Sequence, residues 1–520
     1  MPIQTSEVNT AYGKVSGIVE DGIARFLGIP YAAPPVGDLR FAAPQAPEPW
    51  TGVHDAYTYG PTPPKPLLDP ESEMGKLMPE PSYEGDGWLN LNVWTPRPED
   101  GAELPVMVWI HGGAFTSGSS AVRGYDGATF ARDGVVCVSL NYRLGVEGFA
   151  YIEGADCPAN RGLRDQEFAL QWVRQNIARF GGNPDNVTVF GESAGAMSIL
   201  AHLSRDTDLF HKAIVQSGTA HIAQTVEDAK LVIREIAKEL GRPGATKADL
   251  IDVPMADLIK AQAAVNSDVV TNANKTKYGA STIASCGMSL MPVIDGDFLT
   301  QPPISAIAEG AGERVQLLLG TNSEEFRLFV MPTWMVAWTD PILFRVRLGQ
   351  YGAPDGSYAL YRDSEYNVEP YKRPKAPAIA CAVLTDRMFW IPTIRIAEAR
   401  ANASAGTHVY EFGFRSPTVP NEHDIELGSS HALELPFMWD TLANPDSLYL
   451  TGAEPPQALA DEMHQAWVGF ASGGAPDWNA YDTEARSVMS FWHNDQAQSV
   501  EVHDPRRGER EHWDGELQAK

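Results

Sequence analysis

Four short, predominantly apolar runs constrain this chain more than any other feature: Leu104–Ile110, Gly134–Asn141, Val187–Phe190 and Val315–Leu319. A strand with one face in water alternates apolar and polar residues. A run that stays apolar is buried on both faces, as in a parallel sheet with helices above and below it. Between the second and third runs, Leu163, Leu170, Val173 and Ile177 fall on one helical stripe, and Gly181-Gly182-Asn183-Pro184 stops it. Leu89–Trp94 reads as a further strand, and Gly13–Arg25 alternates like edge strands. Strands interleaved with helices predict an α/β fold, a large, mostly parallel central sheet with helices on both faces.

At roughly 150 residues per domain, 520 residues would make about three domains. No Pro/Gly/Ser linker divides the chain, however, and no internal repeat occurs, so one domain over residues 1–520 is expected. A Pro- and Gly-rich stretch up to about Pro81 predicts a long wrapped surface segment, since no regular helix runs through so many prolines. Residues 227–264 carry two amphipathic helical patterns, and 331–395 is rich in aromatics and proline. Both are expected as helical insertions above the strand ends. The polar tail from Glu501 onward is expected to be peripheral.

Charge and cysteine usage exclude several function classes. Forty basic against 67 acidic residues leave a net charge of −27, which repels phosphate backbones and anionic lipid. Neither a nucleic-acid partner nor a membrane partner is expected. Cys137, Cys157, Cys286 and Cys381 form no Cys-x-x-Cys pair and are too few for a disulfide scaffold. Met1–Val19 lacks the basic-then-apolar pattern of a secretory signal. A cytoplasmic protein is the expectation.

The chemistry begins at Gly191-Glu192-Ser193-Ala194-Gly195, which follows the β run Val187–Phe190 and opens a small-residue helix. A sharp strand-to-helix turn forces the serine into a strained conformation with its oxygen exposed, and the helix N-terminus aims N–H groups at developing negative charge. The pattern by itself is weak. With 46 glycines in 520 residues, it arises by chance in roughly one such chain in four. The strand before it and the helix after it give it weight.

Acyl transfer needs N–H donors for a tetrahedral oxyanion. One belongs to the residue after the nucleophile, Ala194; others fit the loop His111-Gly112-Gly113-Ala114-Phe115 that follows the Leu104–Ile110 run. A serine also needs a histidine, and the histidine an orienting acid, in the chain order Ser, acid, His. His431, in the loop Gly428-Ser429-Ser430-His431, is a good candidate base and His423 its nearest competitor. His503 and His512 read as solvated, and His408 as structural. The acid is expected after the Val315–Leu319 strand, where Glu324 and Glu325 stand side by side and local reasoning does not separate them.

These pieces, with Phe26-Leu27-Gly28-Ile29-Pro30-Tyr31-Ala32, Leu91-Asn92-Val93-Trp94-Thr95-Pro96, Asn141-Tyr142-Arg143-Leu144-Gly145 and Gln216-Ser217-Gly218, resemble the type-B carboxylesterases. That group contains bacterial para-nitrobenzyl esterases, animal carboxylesterases and cholinesterases. The resemblance spans about Gly13 to Trp492. It implies an α/β-hydrolase fold and ester hydrolysis through an acyl-enzyme. Ser193 would be the nucleophile, His431 the base and Glu325 the orienting acid. Gly113, Ala114 and Ala194 would be the oxyanion donors, with Glu192 and Glu434 supporting the site.

Two departures stand out. Gly85-Asp86-Gly87-Trp88 replaces the cysteine-containing motif of secreted relatives, so their early disulfide has no counterpart here. Phe326 replaces the glycine that usually follows the acid, which questions the local backbone there. The expected function is a serine carboxylesterase acting on short to medium acyl, aryl or benzyl esters, as a monomer or homodimer, with a small-molecule ester as partner and no metal or organic cofactor. A carbamate or amide hydrolase or a thioesterase with the same triad is the alternative; a non-catalytic binding protein on this fold is a remote one. Trp88, Phe115, Phe326, Phe329, Met331, Trp334 and Phe437 are candidate pocket liners.

Overall fold

A computed structural model describes residues 4–99, 101–337, 340–363, 376–493 and 497–518. Its framework is a 13-stranded sheet. In spatial order the strands are Gln4–Asn9, Lys14–Glu20, Ile23–Pro30, Asn90–Thr95, Val136–Leu140, Leu104–Ile110, Gly182–Glu192, Lys212–Gln216, Gln316–Asn322, Thr407–Phe412, Ser487–Phe491 and Val500–His503, with Val53–Asp55 paired to Lys14–Glu20. From Val136–Leu140 through Ser487–Phe491 neighbouring strands are parallel; the strands outside that block pair antiparallel to their neighbours in the row.

The apolar runs form the middle of this sheet, and their period of two explains why they are predominantly apolar. Val106, Val108 and Ile110 enter one core, while Met107 and Trp109 enter another. Val136, Val138, Leu317 and Leu319 join the first core; Cys137 and Leu318 join the second. The helix Arg161–Asn176 covers the first face with Leu163, Leu170 and Val173. The helix Gln457–Gly473 covers the other with Leu459, Met463, Trp467 and Phe470. Both faces are therefore dry, and a polar residue in these strands would need a buried partner.

The two insertions are helical, as expected. The stretch 227–264 is carried mainly by Val226–Glu239, Lys247–Leu250 and the first part of Met255–Asn272. Residues 331–395 include the helices Pro341–Gln350, Ser357–Asp363, Ala376–Thr385 and Ile391–Ala399; within this stretch 338–339 and 364–375 lie outside the described residues. A π-helical turn, Asp386–Trp390, precedes Ile391–Ala399. Pro392 has no N–H to donate one turn back, so the regular register breaks there.

The tail departs from expectation. It is docked, not peripheral. Val500–His503 adds an antiparallel strand to the sheet edge. Arg506 forms a buried ion pair with Asp386 of the π turn and lies 3.1 Å from Glu411. The Trp513 ring is fully buried and donates to the Tyr361 hydroxyl at 2.8 Å. Its charged composition hid this, because Arg506 is paired inward with partners more than 90 residues away in sequence. No described helix is long and apolar enough to cross a membrane.

Candidate active site

The parallel strands deliver their carboxyl ends to one side of the sheet, where open α/β folds bind ligands. Ser193 stands between the strand Gly182–Glu192 and the helix Ala194–Leu203, with φ 56° and ψ −122°. Few side chains adopt that conformation, and it holds only because the surroundings over-determine it. The Ser193 N–H donates to Gln216 O at 2.9 Å and its carbonyl accepts from Met197 N at 2.8 Å. Gly195 allows the turn, since a Cβ there would lie 1.9 Å from the Ile110 carbonyl oxygen.

The loop after Leu104–Ile110 is pressed against this turn. A Cβ on Gly112 would meet Glu192 Oε2 at 2.6 Å and Ser193 Cβ at 3.1 Å. Gly113, Ala114 and Phe115 all have positive φ, at 114°, 52° and 62°. Tyr142 holds the loop, donating to His111 O at 2.8 Å with its ring stacked 4.5 Å from the His111 imidazole. Burial pushes His111 down to about 3, so it stays neutral. Among the described residues, the N–H groups of Gly113, Ala114 and Ala194 have no hydrogen-bond acceptor. Three donors without acceptors beside a serine are equipped to receive an oxyanion.

Glu325 follows the strand Gln316–Asn322, and His431 sits in the loop beyond Thr407–Phe412. His431 Nδ1 is 2.5 Å from Glu325 Oε2, and the His431 N–H donates to the Glu325 carbonyl at 3.1 Å. The other Glu325 oxygen accepts from Ser217 Oγ at 2.5 Å and Asn322 N at 2.8 Å. Phe329 and Phe389 flank the imidazole, with ring centroids 5.1 and 4.9 Å away. Burial opposes charge on His431, but the Glu192 and Glu325 carboxylates outweigh it and hold the imidazole well above its ordinary value.

The neighbouring carboxylate is engaged elsewhere. Glu324 pairs with Arg415, lies 3.3 Å from Arg327 Nη1 and accepts from Ser429 N at 2.9 Å. Burial would raise it, yet the Arg327 and Arg415 guanidinium groups hold it below the usual carboxylate range. Phe326, which follows Glu325, has φ −71° and ψ −6°. That backbone suits any residue, so the departure from glycine imposes no strain.

Glu434 is fully buried and accepts from Gln216 Nε2 at 3.0 Å and Asn322 Nδ2 at 2.7 Å. Burial, reinforced by Glu192 and Glu325, pushes it up to about 8. Ser217 and Asn322 were not singled out from the sequence as site residues. The signal was present: a polar residue two or three positions past an apolar run, Ala213–Val215 or Leu317–Leu319, at the end of a dry strand that tolerates it only with a partner.

Ser193, Glu192, His431, Gly113 and Ala114 all open onto one cavity of about 650 Å³. Phe326, Phe329 and Trp334 line it as expected. Trp88, Phe115, Met331 and Phe437 do not; they pack in the cores instead. His431 is the one histidine on the wall among the described residues. His408 lies in the strand Thr407–Phe412 beside Trp478, and His503 and His512 bond Ser487 and Ser357.

The sequence profile of the carboxylesterase family fits residues 4–507. The chain belongs to the carboxylesterase family. This carboxylesterase is 35% identical to the para-nitrobenzyl esterase of Bacillus subtilis (strain 168) over 93% of its own length and 94% of the relative's. It is 33% identical to the phenmedipham hydrolase of Pseudarthrobacter oxydans, covering 90% of each chain, and 32% identical to a human cocaine esterase, covering 94% of its own chain and 87% of the relative. A solved para-nitrobenzyl esterase superposes with TM-score 0.81 at 33% identity, covering 98% of this chain and 99% of the other. A Geobacillus stearothermophilus carboxylesterase at pH 6.2 matches with TM-score 0.81 at 32% identity and the same coverage. The fold is the α/β-hydrolase fold, and the enzyme is a carboxylic-ester hydrolase.

Proposed function

We propose that Ser193, His431 and Glu325 are the catalytic triad and that Gly113, Ala114 and Ala194 form the oxyanion hole. The carrying observation is convergence: a strained serine, a carboxylate-bound imidazole and three N–H groups without acceptors surround one cavity. Glu325 keeps the proton on His431 Nδ1, so Nε2 is the basic nitrogen. As Ser193 Oγ bonds to the ester carbonyl carbon, Nε2 takes the hydroxyl proton. The carbonyl oxygen becomes an oxyanion held by the three N–H groups. The C–O bond to the alcohol then breaks, and the proton passes from Nε2 to the departing oxygen. Water repeats the sequence and releases the acid, regenerating Ser193. Glu192 supports the imidazolium through its charge, and Glu434 holds Asn322 and Gln216 behind the site.

The apolar cavity favours short to medium acyl chains and aryl or benzyl alcohols. We also propose one domain over residues 1–520 carrying the two helical insertions, a monomer or homodimer in solution, and a cytoplasmic setting that suits four unpaired cysteines. The test is a panel of para-nitrophenyl esters from acetate to palmitate with wild type and Ser193→Ala side by side. Turnover on the shorter members, abolished in the variant, is expected. Full activity in Ser193→Ala would overturn the mechanism, and no turnover on any ester would redirect it to carbamates and amides.

A further inference from the structure

We infer that Arg347 forms an anion subsite in the cavity and directs this enzyme toward esters carrying a free carboxylate at the end remote from the scissile bond. The inference rests on the triad reading above, because it assigns Ser193 to one part of the cavity wall and Arg347 to another.

Among the described residues lining the cavity, Arg347 is the one Lys or Arg side chain. It projects from the helix Pro341–Gln350. Its Nη2 donates to the Thr271 carbonyl, while Nη1 is buried with no hydrogen-bond partner. The guanidinium carbon lies 5.8 Å from the Tyr351 ring centroid.

Among the described residues, no carboxylate pairs with this guanidinium. Burial, with Cys286 adding to it and Arg347 opposing, pushes the Tyr351 phenol up to about 12. Burial pushes the Cys286 thiol up to about 11. Neither is an anion that could pair with the guanidinium. Arg387, which donates to the Tyr351 carbonyl at 3.0 Å, adds a second positive charge behind them.

The carboxylates on the wall are placed differently. Glu80 pairs with Lys65, Glu192 lies against His431, and Asp446 has Arg123 at 3.9 Å. Each wall carboxylate thus has a basic side chain beside it, whereas Arg347 has no carboxylate among the described residues. A buried N–H of a cation without an acceptor is costly, and a ligand carboxylate would satisfy it with a charge-assisted hydrogen bond. The net charge of −27 repels anions at long range, but salt screens exposed charges beyond about 8 Å, so recognition inside the cavity is local.

The probes are para-nitrophenyl half-esters of dicarboxylic acids from adipic to sebacic, compared with para-nitrophenyl alkanoates of equal chain length. The readout is the ratio of kcat/KM, anionic over neutral. It should peak at one chain length in the wild type. At that length it should fall about tenfold in Arg347→Met and less in Arg347→Lys. A ratio that is the same in wild type and Arg347→Met at every length overturns the subsite. Binding calorimetry with octanoate gives a second readout that needs no turnover: affinity should drop about tenfold in Arg347→Met, and equal affinity overturns the subsite. Loss of alkanoate turnover in wild type, or its survival in Ser193→Ala, would sink the triad reading instead, and calorimetry would still decide the subsite.

Discussion

His431 Nε2 lies 2.8 Å from Glu192 Oε1. The imidazole therefore has a carboxylate at each nitrogen, 2.5 Å from Nδ1 and 2.8 Å from Nε2. A carboxylate there favours the protonated imidazole, both in the resting enzyme and in any imidazolium that the proposed mechanism forms. The free base is lost as pH falls through the raised value, so activity should decline at higher pH than an ordinary imidazole would dictate. Glu192→Gln should move the acidic limb of the kcat/KM profile to lower pH and reduce the plateau about tenfold. An acidic limb that stays in place would show that Glu192 does not act on His431.

Backbone strain at Ser193 is expected to be separable from its chemistry. Both Ser193→Ala and Ser193→Gly should lose at least about a thousandfold in kcat. Glycine relieves the φ 56° conformation that alanine retains, at some entropic cost in the unfolded chain. Thermal denaturation should find Ser193→Gly more stable than Ser193→Ala by about 1 kcal/mol. Equal melting temperatures would argue that the turn is unstrained.

Glu434 links stability to pH. Its folded value of about 8 lies above the ordinary 4.5, so between those values the folded state binds more protons than the unfolded state. Its contribution to stability is therefore full below about pH 4.5 and is lost as pH rises through about 8. Denaturant midpoints measured across that window should show a smaller downward slope in Glu434→Gln. The variant should also be less stable throughout, because an amide cannot accept from both Gln216 and Asn322, a loss of about 1–3 kcal/mol. An unchanged slope would mean that Glu434 is ionised in the folded enzyme.

Arg506 ties the tail to the insertion helices. Its partner Asp386 is fully buried in the π turn, next to Met388 and Phe389 on the cavity wall. Arg506→Ala should destabilise by about 3–5 kcal/mol, since it leaves a buried carboxylate without its cation. The double variant Arg506→Ala/Asp386→Asn should recover part of that loss in thermal denaturation. A melting temperature near wild type for the single variant would show the pair to be dispensable.

The central strands were legible because a dry sheet leaves a mark in every residue it contains: Leu104–Ile110 is apolar in both periods of two. The serine turn was legible for a related reason. Strand, turn and helix are consecutive in sequence, and Gly195 is required by a contact one can anticipate from that turn. The residues alone proposed His431 with His423 as its competitor and left Glu324 and Glu325 level; family resemblance chose His431 and Glu325.

The choice between those two glutamates belongs to the tertiary structure. Arg415 and Ser429 capture Glu324, and Ser217 and Asn322 aim Glu325 at His431. All but Asn322 are distant in sequence, so no local pattern announces which adjacent carboxylate turns inward. The docked tail is the same case: Arg506 and Trp513 read as solvated until Asp386 and Tyr361 are brought to them. By itself the sequence determined where the backbone must be dry and where it must turn, because those demands act on neighbouring residues. Only the fold decided which charges meet, because pairing depends on side chains that chain topology, not sequence proximity, places within reach.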